Sequence, residues 1–387
     1  MTVTATLDWT LECSGCRAVG DPAGLPTVCP RCGQPWLVRY PTRRPTRGDR
    51  AELDHGSGMW RFRKLLPLAA DEEPVTLGEG DTPLLEIRRS GSMLGFSDLW
   101  LKDEGLNPTG SFKARGMAMA VTRAVRGGAE AFVAPTAGNA GVALAAYAAR
   151  AGLPARIYAP TTTPPTILSQ IRRFGADLEL LDGHIGDCGV AAAEYAARTG
   201  AFPMSTLREP YRIEGKKTMG LELARQLDWK LPDALIYPAG GGTGLIGTWL
   251  AFQELITAQW VSGPLPRLYA VQSTGCAPVV RAFAAGADRC EPWTDPWTVA
   301  SGLRVPAPLG GALMLRAIRD TGASAVAVTD EDLTEQARVV SAWEGVDLAP
   351  EGGAAVAAAI MLRASGAIKA DERVVLFNTG AGWLYRG

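Results

Sequence analysis

The sequence predicts an α/β protein built on parallel sheets that are covered by helices. Short runs rich in Val, Ile, Leu and Tyr alternate with longer alanine-rich stretches of helical character from about residue 75 onward. Such alternation is typical of parallel sheets with helices on both faces. The expected strands cover residues 99–101, 131–134, 156–159, 178–181, 234–237, 268–271, 325–328 and 374–377, and the expected helices cover residues 111–126, 139–151, 165–174, 190–199, 213–227, 245–258, 330–343 and 353–365.

Length and composition limit what this chain can be. With 387 residues, of which 47% are hydrophobic and 20% charged, it can build a large core in two or three structural units. Thirty-nine basic and 40 acidic side chains leave a formal charge of -1, so we expect no binding to nucleic acid or to an anionic membrane. The first ten residues lack the basic and apolar regions of a secretory signal. We therefore expect a cytoplasmic protein.

The first unit, residues 1–40, contains two C-x-x-C pairs separated by twelve residues: Cys13/Cys16 and Cys29/Cys32. This spacing can place four thiolates around one tetrahedral Zn²⁺. Two disulfides or a redox C-x-x-C are the alternatives. A reducing cytoplasm disfavours the disulfides, and no strand–helix context supports the redox motif. We expect a structural zinc ribbon, in which four protein ligands leave no open position for chemistry.

The next segment, residues 41–75, is predicted to be a linker and extended arm. Its first part is rich in proline and arginine and poor in apolar residues, which is typical of a solvated connection between units. Beyond it, residues 76–130 and 215–387 are expected to form a large domain. Residues 131–214 are expected to form a smaller, mobile α/β domain.

One lysine, Lys113, lies between a tight polar turn and the start of a predicted helix, in the sequence NPTGSFKARG at residues 107–116. A lysine that forms a Schiff base must lie in a partly dry pocket, where burial lowers its pKa and supplies a neutral amine. The flanking Phe112 and Ala114 suit such a pocket. Most lysines are solvated surface charges, so the neighbouring motifs decide between the two interpretations.

Three further loops follow predicted strands, where ligands of parallel sheets are usually bound. Residues 136–141 open a helix with small side chains and the amide of Asn139, and can admit a carboxylate or a ring oxygen. A glycine-rich loop opens another helix and offers its backbone amides to a phosphate. Thr379 follows the last strand and can present its hydroxyl to a heteroaromatic nitrogen. The glycine-rich loop consists of Gly240, Gly241, Gly242, Thr243 and Gly244.

These glycines also permit other interpretations. Glycines at strand–helix junctions often serve only a tight turn. The pattern Gly242-x-Gly244-x-x-Gly247 also satisfies the dinucleotide fingerprint of an NAD(P)-dependent oxidoreductase. However, the strand near residues 268–271 ends in Gln272 instead of an acid. An oxidoreductase would also leave Lys113 without a role.

Three motifs in a specific order relate this chain to a known family. GEGDTPL at residues 78–84 is similar to G-E-G-N-T-P-L, KDEGLNPTGSFKARG at residues 102–116 to K-x-E-G-L-N-P-T-G-S-F-K-D-R-G, and YRIEGKKT at residues 211–218 to Y-R-x-E-G-Q-K-T. Over about 300 residues, the chain thus resembles the fold type II pyridoxal-phosphate enzymes, which are tryptophan synthase β-like. Within them it most closely resembles the threonine synthase family, some members of which carry an N-terminal zinc ribbon.

The resemblance implies a homodimeric lyase that converts the small amino acid O-phospho-L-homoserine and water to L-threonine and phosphate. It implies two parallel-sheet domains, the large one binding pyridoxal 5'-phosphate through a covalent bond to Lys113. Asn139 would contact the ring oxygen of the cofactor, the loop from Gly240 to Gly244 its phosphate, and Thr379 its pyridine nitrogen. A neutral hydroxyl at that nitrogen makes the ring a milder electron sink. The residues implied in substrate binding are Thr136, Ala137, Gly138, Arg212 and Lys217.

Departures from the family's motifs leave the substrate open. Ala137, Ala140 and Gly141 stand where the family's S-T-G-N-T loop carries hydroxyls, and Ala114 replaces the aspartate after the lysine. Because a lost charge-assisted hydrogen bond costs about 1.5 to 3 kcal/mol, two such losses can change the preferred substrate. A serine or threonine dehydratase and a β-replacement synthase, for example one similar to cysteate synthase, remain alternatives. An oxidoreductase and a zinc-ribbon binding protein with an inactive body are alternatives from other classes.

Overall fold

Three separate β-sheets organise the chain in the computed structural model, which describes residues 7–41, 45 and 47–386. The expectations for residues 1–6 and for linker residues 42–44 and 46 lie outside the described residues. The rest of the predicted linker and arm contains one short α-helix and two 3-10 segments, Leu53–His55 and Gly58–Leu65. No helix in the described part of the chain is both long and apolar enough to cross a membrane.

The first sheet is a small antiparallel ribbon of three strands in the order β2-β1-β3. The register pairs Cys13 with Trp36 at one end of the ribbon. Its apolar side chains, among them Trp9 and Leu11, are buried in one cluster with residues of the helix that begins at Lys113. The ribbon is therefore packed on the body of the protein. Its strands are β1 (Thr10–Cys13), β2 (Val19–Gly20) and β3 (Trp36–Arg39).

The body contains a six-stranded sheet in the order β12-β11-β10-β13-β5-β4 and a four-stranded sheet in the order β8-β7-β6-β9. All pairs are parallel except β4 with β5. The central strands are buried along their length, as parallel strands covered on both faces should be. These strands are β4 (Leu84–Glu86), β5 (Asp98–Asp103), β6 (Phe132–Pro135), β7 (Ala155–Pro160), β8 (Asp177–Leu181), β9 (Phe202–Pro203), β10 (Ala234–Pro238), β11 (Arg267–Ser273), β12 (Ala325–Val328) and β13 (Arg373–Asn378).

Helices cover both sheets, and the predicted α/β class is confirmed. Each of the eight predicted strands and eight predicted helices corresponds to an element whose bounds differ by up to five residues. The α-helices of the described residues are α1 (Arg47–Glu52), α2 (Arg88–Leu94), α3 (Lys113–Arg126), α4 (Asn139–Ala151), α5 (Pro165–Arg173), α6 (Ile185–Thr199), α7 (Tyr211–Gln226), α8 (Thr243–Thr257), α9 (Pro278–Ala284), α10 (Gly311–Asp320), α11 (Asp330–Glu344) and α12 (Pro350–Ala364).

Helix α7 joins the two parts of the body. It is continuous from Tyr211 to Gln226, so the domain limit predicted between residues 214 and 215 falls inside a helix. Glycines let its neighbours approach closely. A Cβ atom at Gly215 would clash with the carbonyl oxygen of Arg115 on α3, and one at Gly220 would lie 2.8 Å from the Cβ of Ala251 on α8. This packing fixes the start of α3, where Lys113 lies.

Candidate active site

One cavity brings together the lysine and three of the loops selected from the sequence. It is lined by Lys113, Asn139, Thr379 and the loop from Gly240 to Gly244. The loops follow β6, β10 and β13, and Lys113 follows β5 after two 3-10 turns. All these segments therefore lie beyond the carboxyl ends of parallel strands, where α/β proteins bind ligands.

A buried ion cluster positions the segment around Lys113. The Arg115 guanidinium donates to both carboxylate oxygens of Glu104, at 2.7 and 2.8 Å, and to both of Glu222, at 3.0 and 2.9 Å. The Lys102 ammonium adds a bond of 2.6 Å to Glu222. All four side chains are fully buried. Arg115, Lys102 and the two glutamates thus bind each other and fix the backbone, and none of these four side chains lines the cavity.

The turn before Lys113 is also tied to the Thr379 loop. The backbone amide of Phe112 donates to the Thr379 carbonyl oxygen at 3.1 Å, and Ser111 forms a bridge with Gly380. Thr109 has a left-handed backbone with φ of 65°, which is unusual for a residue other than glycine. The lysine and the threonine therefore keep a fixed relation across the cavity.

The electrostatics of Lys113 suit a nucleophilic amine. Burial and the nearby charge of Arg212 lower its pKa from 10.5 to about 8, although Glu351 acts in the opposite direction. Its ammonium lies 4.4 Å from the centre of the Phe112 ring. Lys216 of α7 lies 3.8 Å from the same ring centre, donates to the Phe112 carbonyl oxygen, and is fully buried. Burial and the charge of Lys113 hold the pKa of Lys216 well below its usual range.

The glycine-rich loop forms a concave backbone surface at the start of α8. Gly242 has φ of 81° and precedes the helix, whose first amide groups receive no side-chain cap. A Cβ atom at Gly242 would clash with the Met314 sulfur, and one at Gly241 would lie 2.9 Å from the Cγ2 atom of Thr206. Free amides at a helix N-terminus bind anions well. The loop is therefore shaped for a phosphate group.

The third glycine of the dinucleotide-like pattern has a packing role. A Cβ atom at Gly247 would lie 2.8 Å from the backbone nitrogen of Lys217 on α7. A Cβ atom at Gly244 would overlap the Tyr237 hydroxyl. These two glycines allow α8 to pack closely against α7 and β10, which explains the spacing without a dinucleotide.

The loop before α4 contributes Asn139 to the cavity, whereas Thr136, Ala137 and Gly138 are not among its lining residues. The Thr136 hydroxyl accepts from the amides of Gly138 and Gly141, at 3.2 and 3.0 Å, and so supports its own loop. The Nδ2 atom of Asn139 donates to the Tyr385 hydroxyl at 3.2 Å. Its Oδ1 atom is buried and has no hydrogen-bond partner among the described residues.

The two cations proposed for substrate binding lie in different places. Arg212 is 3% exposed and binds Glu209 at 3.1 Å and the Met204 carbonyl oxygen at 2.6 Å. It also donates at 3.4 Å to the hydroxyl of Thr206, which lines the cavity. Lys217 does not reach the cavity. Its ammonium binds Glu214 at 2.7 Å, Glu254 at 3.0 Å and the Leu65 carbonyl oxygen at 2.8 Å.

Comparisons with known proteins agree with this geometry. The family described as "Pyridoxal-phosphate dependent enzyme" matches residues 75–380. Threonine synthases of Methanosarcina acetivorans and Methanocaldococcus jannaschii are each 34% identical to the chain, over 83% and 84% of its length and 79% and 80% of theirs. A Mycobacterium leprae threonine synthase is also 34% identical, over 83% of this chain and 86% of its own. The chain belongs to the threonine synthase family of pyridoxal-phosphate-dependent enzymes.

Solved structures of fold type II enzymes share the architecture. Maize serine racemase superposes with a TM-score of 0.68 at 23% identity, covering 78% of this chain and 88% of the racemase. The processed form of threonine deaminase isoform 2 from Solanum lycopersicum superposes with a TM-score of 0.68 at 22% identity, covering 92% and 95% of the two chains. At this identity the likeness establishes the fold alone, and it confirms the predicted fold type.

The residues of the cavity fit the family's cofactor. Pyridoxal phosphate carries an aldehyde, a phosphate and a ring with polar substituents. The lysine with a lowered pKa suits the aldehyde, and the loop from Gly240 to Gly244, where side chains would clash, suits the phosphate. The unpartnered Oδ1 atom of Asn139 indicates that a polar group belongs beside it.

Sequence reasoning missed Glu351 and Tyr385, which also line the cavity. Glu351 lies in the first turn of α12, where an acidic residue ordinarily stabilises the helix dipole. Its sequence position therefore gives no signal of a site. Tyr385 lies in a 3-10 turn after the last strand, and only the folded chain brings it to Asn139.

The four paired cysteines of the ribbon form a compact cluster. Their sulfur atoms all lie within 4.8 Å of one another, with 3.3 Å between Cys13 and Cys32 and 3.7 Å between Cys16 and Cys29. A tetrahedral zinc with bonds of about 2.3 Å spaces its sulfur ligands about 3.8 Å apart. The Gln34 amide and the Cys13 thiol lower the pKa of Cys32 to about 7, whereas burial raises that of Cys13 to about 12.

Proposed function

We propose that this enzyme converts O-phospho-L-homoserine and water to L-threonine and phosphate. The 34% identity to threonine synthases over 83% of the chain carries this proposal. The cavity supports it, because a buried lysine with a lowered pKa and a phosphate-shaped loop face the same space. When bound, pyridoxal phosphate supplies a ring that accepts the electron pair left as a proton leaves the substrate α-carbon.

Lys113 is the proposed catalytic residue. Its pKa of about 8 leaves a useful fraction of neutral amine at neutral pH. This amine would hold the cofactor through a covalent bond, and as a free base it would take a proton from a substrate carbon and return it. The neighbouring ion cluster holds the helix start that carries the amine, and the Phe112 ring packs 4.4 Å from it.

The other proposed contacts orient the cofactor. The amides of Gly241 to Gly244 would hold the phosphate, and Asn139 would hydrogen-bond the ring oxygen. Thr379 would meet the pyridine nitrogen with a neutral hydroxyl, which does not enforce a positive charge there. Such a ring favours elimination and replacement over transamination.

Substrate recognition is proposed to depend on Arg212 and on the loop of Thr136, Ala137 and Gly138. The three loop residues do not line the cavity themselves, but they directly precede Asn139, which does. The Arg212 guanidinium contacts the cavity-lining Thr206 and is balanced by Glu209. Burial raises the pKa of Glu209 to about 7. A guanidinium whose partner is partly protonated is available to a substrate phosphate. Lys217 lies outside the cavity, and its proposed role in substrate binding has no geometric support.

The test is to supply the holoenzyme with O-phospho-L-homoserine and to measure phosphate and threonine. We expect both products in equal amounts, and we expect Arg212→Ala to reduce turnover by about tenfold or more, since a charge-assisted contact is lost. The matched control is Arg208→Ala, an exposed arginine four residues earlier that does not line the cavity. Equal losses in both variants would contradict the role of Arg212.

A dehydratase is the second candidate. Ala137 in the loop before α4, and Ala140 and Gly141 in its first turn, lack the hydroxyls of the family motif, which weakens recognition of an anionic substrate. L-serine and L-threonine in the same assay separate the two candidates. Release of oxo-acids without phosphate from O-phospho-L-homoserine would favour the dehydratase.

We also propose that Cys13, Cys16, Cys29 and Cys32 bind one structural Zn²⁺. The sulfur separations support this, and so does the packing of the ribbon on α3. Metal analysis should find one zinc per chain, and Cys13→Ser should lose both the metal and thermal stability. A metal-free protein of full stability would contradict the proposal.

A cytoplasmic homodimer is the assembly we propose from the family resemblance, and sedimentation at working concentration tests the dimer.

A further inference from the structure

Glu351 is a buried acid in the candidate active site to which the proposed chemistry gives no role. It is 3% exposed and lies in the first turn of α12. Among the described residues that line the cavity, it is the one acidic side chain. Lys113 lines the same cavity and interacts electrostatically with Glu351.

Only half of this carboxyl group is engaged. The Oε1 atom accepts from the Gly302 amide at 2.7 Å and from the Tyr385 hydroxyl at 2.9 Å. The Oε2 atom is buried and has no hydrogen-bond partner among the described residues. A buried oxygen without a partner is costly, so its presence in a ligand cavity indicates a use.

The engaged oxygen belongs to a chain of hydrogen bonds across the site. Tyr385, which donates to Glu351, also accepts from Asn139 Nδ2 at 3.2 Å. The chain links α12 to the start of α4, so it connects the helices of the two sheets. The start of α12 is held in turn by Asn378, whose Oδ1 atom accepts from the Ala349 amide at 3.1 Å. The carboxyl group therefore has a fixed position.

Glu351 is the acidic counterpart to the basic groups around Lys113. The charge of Arg212 lowers the pKa of Lys113, and the charge of Lys113 lowers the pKa of Lys216, so these basic groups disfavour each other's protonation. The Tyr385 hydroxyl stays protonated, because burial and Glu351 hold its pKa well above the usual range. Burial raises the pKa of Glu351 above its ordinary value, although the charge of Lys113 acts in the opposite direction. Glu351 is the one acidic group among those that act on Lys113.

We propose that Glu351 is a positioning residue whose carboxylate balances the charge of the Lys113 nitrogen once that nitrogen is bonded to the cofactor. Tyr385 and the Gly302 amide fix Oε1, and Oε2 has no hydrogen-bond partner among the described residues. The negative charge keeps the bonded nitrogen protonated, which is the form that an incoming substrate amine attacks most readily. This inference rests on the proposed role of Lys113.

The test follows the absorption band of the bound cofactor without substrate. When protonated, the bond between the lysine nitrogen and the cofactor absorbs visible light, and the loss of this band with rising pH gives a midpoint. Holoenzyme of the wild type and of Glu351→Gln is titrated from about pH 5 to about pH 10. Since an opposite charge nearby shifts a pKa by about 1 to 3 units, we expect the midpoint to fall by about 1 unit or more in Glu351→Gln.

Glu344→Gln is the matched control. Glu344 also accepts a backbone amide, that of Ser90 at 2.7 Å, and it does not line the cavity. Its replacement should leave the midpoint unchanged. If Glu351→Gln does not fold, Glu351→Asp is the second variant, because its side chain is one methylene shorter and moves the carboxylate away from Lys113. We expect the midpoint to fall in Glu351→Asp as well, but by less.

The outcomes separate this inference from the proposed function. A wild-type protein without the band would refute the role of Lys113 itself. A normal band with an unchanged midpoint in the Gln or Asp variant would overturn only the role of Glu351. Reduced turnover with an unchanged midpoint would overturn it as well, because it would assign the carboxyl group to the substrate.

Discussion

Arg115 holds two carboxylates that have no contact with water, and its loss should be among the most destabilising single changes in this chain. The side chains of Arg115, Glu104 and Glu222 are all fully buried. The guanidinium makes four bonds of 2.7 to 3.0 Å to carboxylate oxygens and further bonds to the hydroxyls of Thr82 and Thr218. In Arg115→Met the volume is largely kept, but Glu104 is left without a cation within ion-pair distance among the residues that the structure describes.

The expected cost follows from this geometry. Removing one partner of a buried ion pair costs about 3 to 5 kcal/mol, because a buried charge is left without compensation. With an unfolding entropy of about 2.1 cal/mol/K per residue, a chain of this length loses about 4 to 6 °C of melting temperature. Thermal unfolding followed by circular dichroism at pH 7 measures the difference. The matched control is Arg338→Met, whose exposed pair with Glu335 should leave the melting temperature unchanged.

The pH dependence makes the prediction specific to the carboxylates. Burial opposes the ionisation of Glu222, but the charges of Arg115 and Lys102 prevail and lower its pKa below 4.5, and Glu104 behaves in the same way. A carboxyl group with a lowered pKa stabilises the fold above the unfolded pKa of 4.5 and loses that contribution as the pH falls. The gap between wild type and Arg115→Met should therefore narrow below pH 4.5. A melting temperature within about 1 °C of wild type, or a gap that does not change with pH, would refute the reasoning.

Three further predictions concern the cavity and its surroundings. The rate at which the apoenzyme captures pyridoxal phosphate should rise with pH through a midpoint near 8, because neutral Lys113 is the nucleophile; a midpoint above 10 would contradict the effect of burial. Lys216→Gln should raise the melting temperature at pH 7, because a lysine whose pKa is lowered on folding destabilises the fold at every pH below its unfolded pKa of 10.5. The gain in melting temperature should vanish as the pH approaches 10.5. A lower melting temperature at pH 7 would contradict this prediction. Gly242→Ala should reduce the cofactor content of the purified enzyme, because φ is 81° and Cβ would clash with Met314, whereas Gly186→Ala, where Cβ meets open space, should not.

The elements that the sequence predicted well are those whose pattern is local. Strands such as Ala234–Pro238 and Arg373–Asn378 are short apolar runs between polar loops, and their burial on both faces leaves a continuous signal. Helices α9 and α10 were missed, because they lie in a part of the chain that is rich in prolines and glycines. Strand β9 has only two residues, too few for any periodicity.

The residues of the candidate site also fall into those that a local pattern could select and those whose position only the fold decides. Lys113, Asn139, the glycine-rich loop and Thr379 could be selected because each follows a strand and carries a recognisable motif. Lys217 was selected by the same motif as Arg212, yet helical geometry points it to another side of α7, toward Glu214 and Glu254. A motif records which residues occur together, and it does not record which face of a helix each one occupies.

Residue type, local period and chain order were enough to predict the α/β class and to select Lys113 and the loops at the ends of strands as site candidates. Which groups share one cavity depends on how the whole chain folds. Glu351 and Tyr385 lie 34 residues apart in the chain, and Asn139 lies 246 residues from Tyr385. Their hydrogen bonds form because the starts of α4 and α12 and the turn after β13 meet at one cavity, and no local sequence pattern encodes that meeting.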